Sequence, residues 1–367
     1  MSTNQIKSQR LMSIDALRGF DMLTIIFLDK FFYRYNQAAD TPFSNFMATQ
    51  FDHPEWYGFH FYDIIMPLFL FLVGMSIPFS ITKRLSINPD MPSLYRHLIK
   101  RFIILWVLGM ISQGNLLDFD MGTLKLYSNT LQSIAVGYLF SSIAFLHMSQ
   151  KGRYGLFAGL LVVYAILLAV PNVPGLGASV ILPDKNFAIY IDRLILGHFD
   201  DGTQYSWIVT GLGFTASVLS GIFASELIRS NMPKQKITVY LLLIGVAGIA
   251  LGLVWGIWHP VVKKLWTSSF VLFISGICYI LMAVFYWIID VKGYTKWAFW
   301  LRVIGMNAIF AYVVTHVIRF REIARPALFG LEQYLGDYYP VVLEVGGFGI
   351  LYFILWYMYK NKTFIKV

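Results

Sequence analysis

The sequence predicts an all-α fold, a polytopic transmembrane bundle of about ten helices. Hydrophobic residues make up 57% of the 367 residues and charged residues only 13%, whereas a soluble domain carries about a quarter charged residues. The apolar residues are gathered in runs of about 17–25 residues, the length that an α-helix needs to cross a bilayer. No polar stretch is long enough for a second domain, so residues 1–367 are expected to form a single transmembrane domain.

The ten spans follow one another with short connections on one side and longer connections on the other. An even number of spans places both termini on one side, which then receives 19 of the 29 Lys and Arg residues, including Lys7, Arg10 and Lys366. Because cytoplasmic loops carry the excess of positive charge, both termini are expected to be cytoplasmic and the loop with His53 to lie on the outer face. The spans are predicted near Ile14–Tyr33, Tyr62–Ile81, His97–Gln113, Thr130–His147, Tyr154–Val170, Trp207–Ile228, Ile237–Ile257, Ser269–Ile289, Trp300–Arg319 and Pro340–Tyr359.

The charge and the single cysteine exclude several other classes of protein. The net charge of +9 comes from basic residues scattered between apolar spans, and no block resembles a nucleic-acid-binding arm. The expected partner is therefore the lipid bilayer and not nucleic acid. Cys278 alone excludes an intramolecular disulfide and a Cys-rich metal site, and the His and acidic residues match no metal-site spacing, so no metal is predicted. No small-residue cleavage site follows the first residues, so no signal peptide is expected.

The stretch from Asp52 to Ser80 is the strongest candidate for a functional site. Its head, D-H-P-E-W-Y-G-F-H-F-Y-D, runs directly into an apolar span. Ionisable side chains at membrane depth are costly, and those retained usually face a cavity or each other. His53 is the leading catalytic candidate because imidazole titrates near neutral pH and can accept a proton. Glu55 and Trp56 flank it as candidate substrate-binding residues, and His60 is the weaker histidine candidate.

Two carboxylates are candidates for the same site. Asp63 begins the second span, where it could lend its charge to the site or cap the helix N-terminus. Asp29 lies near the outer end of the first span, where it could pair with Lys30. It could instead sit opposite His53 and hold the imidazole, as the carboxylate of a hydrolase triad does. The residues alone leave both questions open.

Basic residues at the inner ends of the spans are candidates for holding a phosphorylated ligand. Arg18 follows Asp15 by three residues and shares its helix face, so one interpretation is a structural ion pair. The other is a cationic mouth open to the cytoplasm, since the planar donors of guanidinium suit phosphate. The candidates for this mouth are Arg18, Lys83, Arg84, Arg101 and Arg302.

Five segments together resemble the heparan-α-glucosaminide N-acetyltransferase family, which includes bacterial members. The resemblance implies acetylation of a glucosamine amino group on the non-cytoplasmic side, with acetyl-CoA supplied from the cytoplasm, in a multi-pass protein of a bacterial inner (cytoplasmic) membrane. It also implies that His53 is the catalytic histidine, since it precedes Trp56 by three residues and Asp63 by ten. The matching segments are S-I-D-A-L-R-G-F-D-M at 13–22, H-P-E-W-Y-G-F-H-F-Y-D-I-I-M-P-L-F-L-F-L-V-G at 53–74, N-T-L-Q-S-I-A-V-G-Y at 129–138, K-K-L-W-T-S-S-F-V-L at 263–272 and G-M-N-A-I at 305–309.

The sequence departs from the family pattern in two ways. Asp29 stands where animal members carry Asn, and an ionised carboxylate cannot donate the hydrogen bond that an amide can. The large lumenal domain of the animal members has no counterpart here, so the acceptor need not be the same.

The resulting hypothesis is a membrane-bound N-acetyltransferase that uses acetyl-CoA as co-substrate and an amino sugar as acceptor. His53 would act as general base, or would carry the acetyl group as acetyl-histidine. Asn307, Trp266 or backbone N–H groups are candidates for stabilising the oxyanion. The acceptor and the oligomeric state are open, with a homodimer among the options.

A permease for amino sugars or N-acetylglucosamine is the alternative hypothesis. Polar residues in membrane spans, aromatic outer loops and Gly-rich spans suit a transporter as well, although no inverted repeat is apparent. A purely structural scaffold would leave the outward clustering of His, Trp and acidic residues unexplained.

Overall fold

A computed structural model describes residues 11–175 and 177–365. Within these residues the chain is mainly helical, and its two short strands, β1 (Asn172–Val173) and β2 (Gly177–Ala178), pair antiparallel. The all-α prediction is confirmed. The described residues do not include the basic residues near the two ends of the sequence, Lys7, Arg10 and Lys366. The predicted cytoplasmic position of both termini therefore stays a prediction.

Sixteen α-helices lie in the described part of the chain. A π-helical turn, Thr24–Leu28, joins the first two into one continuous helix, and a 3-10 turn, Phe61–Ile64, leads into the fourth. The helices are α1 Met12–Leu23, α2 Asp29–Ala39, α3 Pro42–Gln50, α4 Ile65–Ile87, α5 Met91–Gln113, α6 Thr130–His147, α7 Gln150–Ala169, α8 Phe187–Leu196, α9 Gly211–Ile228, α10 Lys234–Gly256, α11 Ser268–Tyr286, α12 Phe299–Met306, α13 Ala308–Val317, α14 Phe320–Leu328, α15 Glu332–Leu335 and α16 Tyr339–Lys360.

Seven helical segments among the described residues are long and apolar enough to cross a membrane, and the bent pair of α12 and α13, which meet at 62°, makes an eighth if it is one span. The chain is therefore a multi-pass membrane protein. The two remaining predicted spans, Ile14–Tyr33 and His97–Gln113, are helical but carry more charged residues. The total of about ten spans accordingly stays a prediction.

The core helices α4 and α9 touch through glycine. A Cβ on Gly74 would lie 2.0 Å from the carbonyl oxygen of Val218, and one on Gly221 would lie 1.9 Å from that of Phe71. Neither position can hold a side chain unless the two backbones move apart. Small residues at such contacts let membrane helices pack closely, and here they fix α9 against the helix that carries the candidate site.

Gly221→Val is expected to lower the thermal unfolding midpoint of the purified protein in detergent. The added side chain would overlap main-chain atoms, which cannot rotate away, and overpacking a core costs about 1–3 kcal/mol. Gly159→Val is the matched control, since a Cβ on Gly159 in α7 would meet no atom within 4 Å. Equal midpoints for the two variants would contradict the close contact of α4 and α9.

Helix α4 carries a charged cluster at each end. Asp63 lies in the 3-10 turn that precedes it, and Lys83 and Arg84 lie near its C-terminus. Twenty residues of helix span about 30 Å, which is the thickness of the hydrocarbon core of a bilayer. The clusters that the sequence predicts around His53 and around Lys83 are thus separated by the length of one membrane helix.

Candidate active site

His53 lies in the loop between α3 and α4, in the wall of a cavity of about 560 Å³ that we call the main cavity. Two hydrogen bonds anchor this loop, because the Trp56 indole and the Tyr57 hydroxyl both donate to the carbonyl of Ile181, at 3.1 and 2.8 Å. Gly58 has a φ of 109°, which only glycine adopts readily. The loop is therefore held in shape by contacts outside the cavity, and His53 is presented to it.

Asp63 holds the imidazole of His53. His53 Nδ1 donates to Asp63 Oδ1 at 2.7 Å, and the backbone N–H of His60 donates to Asp63 Oδ2 at 2.9 Å. The fully buried carboxylate thus caps the 3-10 turn and orients the catalytic candidate, so both sequence alternatives for Asp63 are realised together. With its proton on Nδ1, neutral His53 has its Nε2 lone pair available as a base.

A lysine that the sequence analysis did not single out completes the cluster. Lys263 Nζ lies 3.1 Å from both ring nitrogens of His53 and 3.4 Å from Asp63 Oδ1. The two nitrogens project outward in different directions in the ring plane, so an atom this close to both must lie off that plane. The ammonium group therefore acts on the imidazole through its charge and does not occupy the in-plane lone pair of Nε2.

The environment sets the charge states of His53 and Lys263. Burial lowers the pKa of His53 below its usual value, and the charge of Lys263 acts in the same direction, against the hydrogen bond to Asp63. Burial also lowers the pKa of Lys263 to about 8, despite the attraction of Asp63. At neutral pH the cluster therefore holds a neutral imidazole, ready to accept a proton, beside a charged ammonium group.

Asp29 does not meet His53. Its Oδ1 accepts from the backbone N–H of Lys30 at 2.7 Å and its Oδ2 accepts from the Tyr62 hydroxyl at 3.3 Å. The Tyr62 ring lies 5.0 Å from that of His53. The expected role of Asp29 as the orienting carboxylate is thus corrected, because Asp63 holds that place. Asp29 lines the main cavity and touches the cluster only through Tyr62.

The two predicted residues closest to His53 in sequence lie away from the main cavity. Glu55 is exposed and is not part of the cavity wall. Trp56 is buried in a small separate core with Tyr164 and Leu265, and its indole N–H is taken by the loop anchor. Neither residue lines the main cavity, and their expected role in binding the acceptor stays a prediction.

The two predicted oxyanion donors also have other partners. The Trp266 indole donates to the Ser217 hydroxyl at 3.0 Å, and Trp266 has a positive φ of 51° in the turn after Lys263. Asn307 donates to the carbonyl of Thr363 at 3.2 Å and accepts from the backbone N–H of Ile365 at 3.0 Å. Neither lines the main cavity, so their roles here are structural.

Several residues that the sequence did not indicate share the main cavity with His53. They come from the end of α5, from the start of α6, from the loop before α9 and from α13, and half-buried Asp201 accepts from the Thr203 backbone N–H and from the Trp207 indole. Burial raises the pKa of Asp201. Asn129 and Thr130 begin the segment 129–138 that carries part of the family resemblance, but the other residues belong to no quoted motif, because loops far apart in sequence meet only in the folded bundle. The polar members of this set are Gln113, Ser128, Asn129, Thr130, Asp201, Thr203, Tyr205, Tyr312, Thr315 and His316.

A second cavity, of about 480 Å³, lies at the other end of α4 and is called the inner cavity. Lys83, Arg84 and His97 line it with Tyr138, and the Arg101 guanidinium lies 4.1 Å from the Tyr138 ring centroid. Three of the five predicted ligand-binding cations are therefore gathered around one open space. Guanidinium and ammonium donors of this kind suit a phosphorylated ligand.

The other two predicted cations lie elsewhere. Arg18 donates to the Ser76 hydroxyl at 2.9 Å and lies 3.6 Å from Asp15, the structural pair that was one of the two interpretations. The Arg302 guanidinium lies 5.8 Å from the centroid of the Tyr359 ring. Neither lines the inner cavity.

Comparison with known proteins gives a family match and two similar relatives. Residues 10–242 match the family described as "Heparan-alpha-glucosaminide N-acetyltransferase, catalytic". The human protein named heparan-alpha-glucosaminide N-acetyltransferase is 23% identical to this chain, and the match covers 98% of this chain and 60% of the human protein. The mouse protein of the same name is 21% identical, and the match covers 100% of this chain and 62% of the mouse protein. The chain thus spans about three fifths of the length of the curated relatives it matches. His53 and Asp63 lie inside the family match, and Lys263 lies beyond it.

Proposed function

The chain belongs to the heparan-alpha-glucosaminide N-acetyltransferase catalytic family, and we propose that it is an integral-membrane enzyme that transfers acetyl from acetyl-CoA to the amino group of a glucosamine-type sugar. The main support is the Asp63–His53 pair in the wall of a cavity large enough for a sugar. We place this cavity at the periplasmic face of a bacterial inner membrane, in keeping with the distribution of positive charge along the sequence.

The proposed reaction needs one proton to move twice. The sugar amine loses a proton as its nitrogen bonds to the acetyl carbon, and His53 Nε2 accepts it. His53 then returns the proton to the sulfur as the carbon–sulfur bond breaks. Asp63 keeps the ring in its orientation and stabilises the imidazolium that exists between the two transfers, the role of the buried carboxylate in a hydrolase triad.

Acetyl-CoA would supply the activated acetyl group. The residues that fit its phosphates are the cations of the inner cavity, Lys83 and Arg84 in its wall and Arg101 beside it. A ligand held there by its nucleotide would have to extend along α4 to reach His53. This arrangement agrees with donor supply from the cytoplasm and acceptor supply from outside.

The proposal is tested by incubating the purified protein with acetyl-CoA and a panel of amino sugars, while free thiol and product mass are followed. Acetylated sugar and free thiol should appear together and only when both substrates are present. Uptake of labelled amino sugar into proteoliposomes without acetyl-CoA, and with no acetylated product, would contradict the proposal and favour the permease.

The pH profile of kcat/KM is expected to depend on the positive charge of Lys263. Activity should rise with pH as His53 loses its proton, and the charge of Lys263 helps to place this rise at low pH. Lys263→Gln removes a positive charge beside the imidazole, so the pKa of His53 should rise and the acidic limb of the profile should move to higher pH. Lys263→Arg keeps the positive charge and should leave the acidic limb close to that of the wild type.

Lys264→Gln is the matched control for this prediction. Lys264 is the next residue, but its ammonium group contacts Gln204 at 3.1 Å and it is not part of the main cavity wall. Its pH profile should match that of the wild type. Identical pH profiles of kcat/KM for the Lys263→Gln and Lys264→Gln variants would show that the Lys263 ammonium group has no part in the reaction.

A further inference from the structure

A smaller cavity, of about 250 Å³, lies beside the main cavity and is called the side cavity. Lys30 and Thr315 belong to the walls of both. Along the first helix, Ile25 and Asp29 line the main cavity, while their neighbours Ile26 and Lys30 line the side cavity. The two cavities therefore adjoin at Lys30 and Thr315.

The acidic residues of the side cavity already have basic partners. Glu344 Oε1 lies 3.5 Å from Arg321 Nη1 and 4.0 Å from Arg34 Nε. Glu322 Oε2 lies 3.3 Å from Arg325 Nη1. Their negative charge is therefore already balanced, and it does not compensate the remaining cations of the cavity.

Those remaining cations are Lys30 and Arg319. Both side chains are exposed, and neither forms an ion pair with a carboxylate of the described residues. Helix α14 begins at Phe320, so its N-terminal end also contributes to the cavity. The first N–H groups of a helix lack intrahelical partners, and the helix dipole there favours an anion. The side cavity thus combines two unpaired cations with an electropositive helix end.

We propose that the side cavity binds a phosphate group of the acceptor while the amino sugar of the same molecule lies in the main cavity. This inference rests on the proposed function and specifies its substrate class as a phosphorylated amino sugar. The apolar residues Ile318, Phe348 and Leu351 complete the wall, and the side chain of Ile318 is 40% exposed. The same site therefore suits a free sugar phosphate or a sugar joined through phosphate to a lipid.

The test compares KM for glucosamine with KM for glucosamine 1-phosphate and glucosamine 6-phosphate. The wild type should show a lower KM for at least one phosphate. Arg319→Gln should raise that KM about tenfold, the size expected for loss of a charge-assisted hydrogen bond. Its KM for glucosamine and its kcat should stay within about twofold of the wild type, and Arg319→Lys should restore most of the preference.

Lys264→Gln is the matched control, because it removes a positive charge from a residue that lines neither cavity. A parallel set of assays uses vesicles that carry a lipid with a glucosamine phosphate headgroup or its neutral glucosaminyl counterpart. A lower KM for the phosphorylated acceptor in the soluble assays supports a free sugar phosphate as the substrate. A lower KM for the phosphorylated acceptor only in the vesicle assays supports a lipid-linked substrate. Equal KM values for neutral and phosphorylated acceptors in both assays would overturn the inference. So would an Arg319→Gln variant whose KM rises equally for the neutral and the phosphorylated acceptor. Absence of acetylation for every acceptor would instead overturn the proposed function.

Discussion

His53→Gln is expected to lower kcat for acetyl transfer by about 10²–10⁴-fold, the contribution of a positioned general base. Glutamine keeps a polar side chain of similar reach but cannot accept and return a proton near neutral pH. The inner cavity lies about 30 Å away along α4, so binding of CoA, measured by calorimetry, should be unchanged. The rate is measured as thiol release in a single turnover with acetyl-CoA and the acceptor.

His60→Ala is the control for this substitution. His60 lies in the same loop, but its Nδ1 contacts the carbonyl of Asp52 at 3.0 Å and it does not line the main cavity. Its kcat should stay within a few-fold of the wild type. A His53→Gln enzyme as fast as His60→Ala would exclude both the general-base and the acetyl-histidine routes. Mass spectrometry of the wild type after exposure to acetyl-CoA alone separates those routes, since only the second leaves an acetyl group on His53.

Asp63→Asn is expected to cause a similarly large loss, about 10³–10⁴-fold in kcat, by analogy with the orienting carboxylate of a serine-protease triad. The carboxylate accepts hydrogen bonds at both oxygens, from the His53 ring and from the His60 backbone. An amide of the same shape has only one oxygen. If that oxygen faces the backbone N–H of His60, the amide N–H₂ faces His53 Nδ1. The proton of the ring must then move to Nε2, where it blocks the base.

The two substitutions should not be additive, because the two residues act as a unit. The double variant His53→Gln, Asp63→Asn should be no slower than the slower single variant, with thermal unfolding measured in parallel to confirm that each variant is folded. Multiplied losses in the double variant would show that Asp63 acts on the reaction independently of His53.

The spacing of apolar residues predicts the helices well, because the length that crosses a bilayer and the need to pair every backbone group inside it leave few alternatives. The importance of the His53 loop is also evident, since few other stretches place an imidazole and carboxylates at the start of an apolar span. The sequence does not show whether Asp29 or Asp63 contacts His53, because this depends on how the 3-10 turn after His60 directs one carboxylate toward the imidazole ring.

Residues joined only by the tertiary fold escaped the sequence analysis for a physical reason. Lys263 begins the segment 263–272 that carries part of the family resemblance, but it is 210 residues from His53 and the sequence does not show that the two side chains meet. Asn307 and Trp266 appeared as free donors in apolar surroundings. Buried polar groups nearly always find a partner, but the sequence does not show that the partners would be the C-terminal segment and Ser217.

The long interval between His53 and Lys263 has a consequence for how the protein matures. At a translation rate of about 5–20 residues per second, some 10–40 s pass between synthesis of the loop and synthesis of the lysine. Until Lys263 has been made, the Asp63 carboxylate lacks the cation that lies 3.4 Å from it in the complete chain. Products truncated before residue 263 are therefore expected to leave a buried carboxylate without its cation and to be less stable in the membrane than the complete chain.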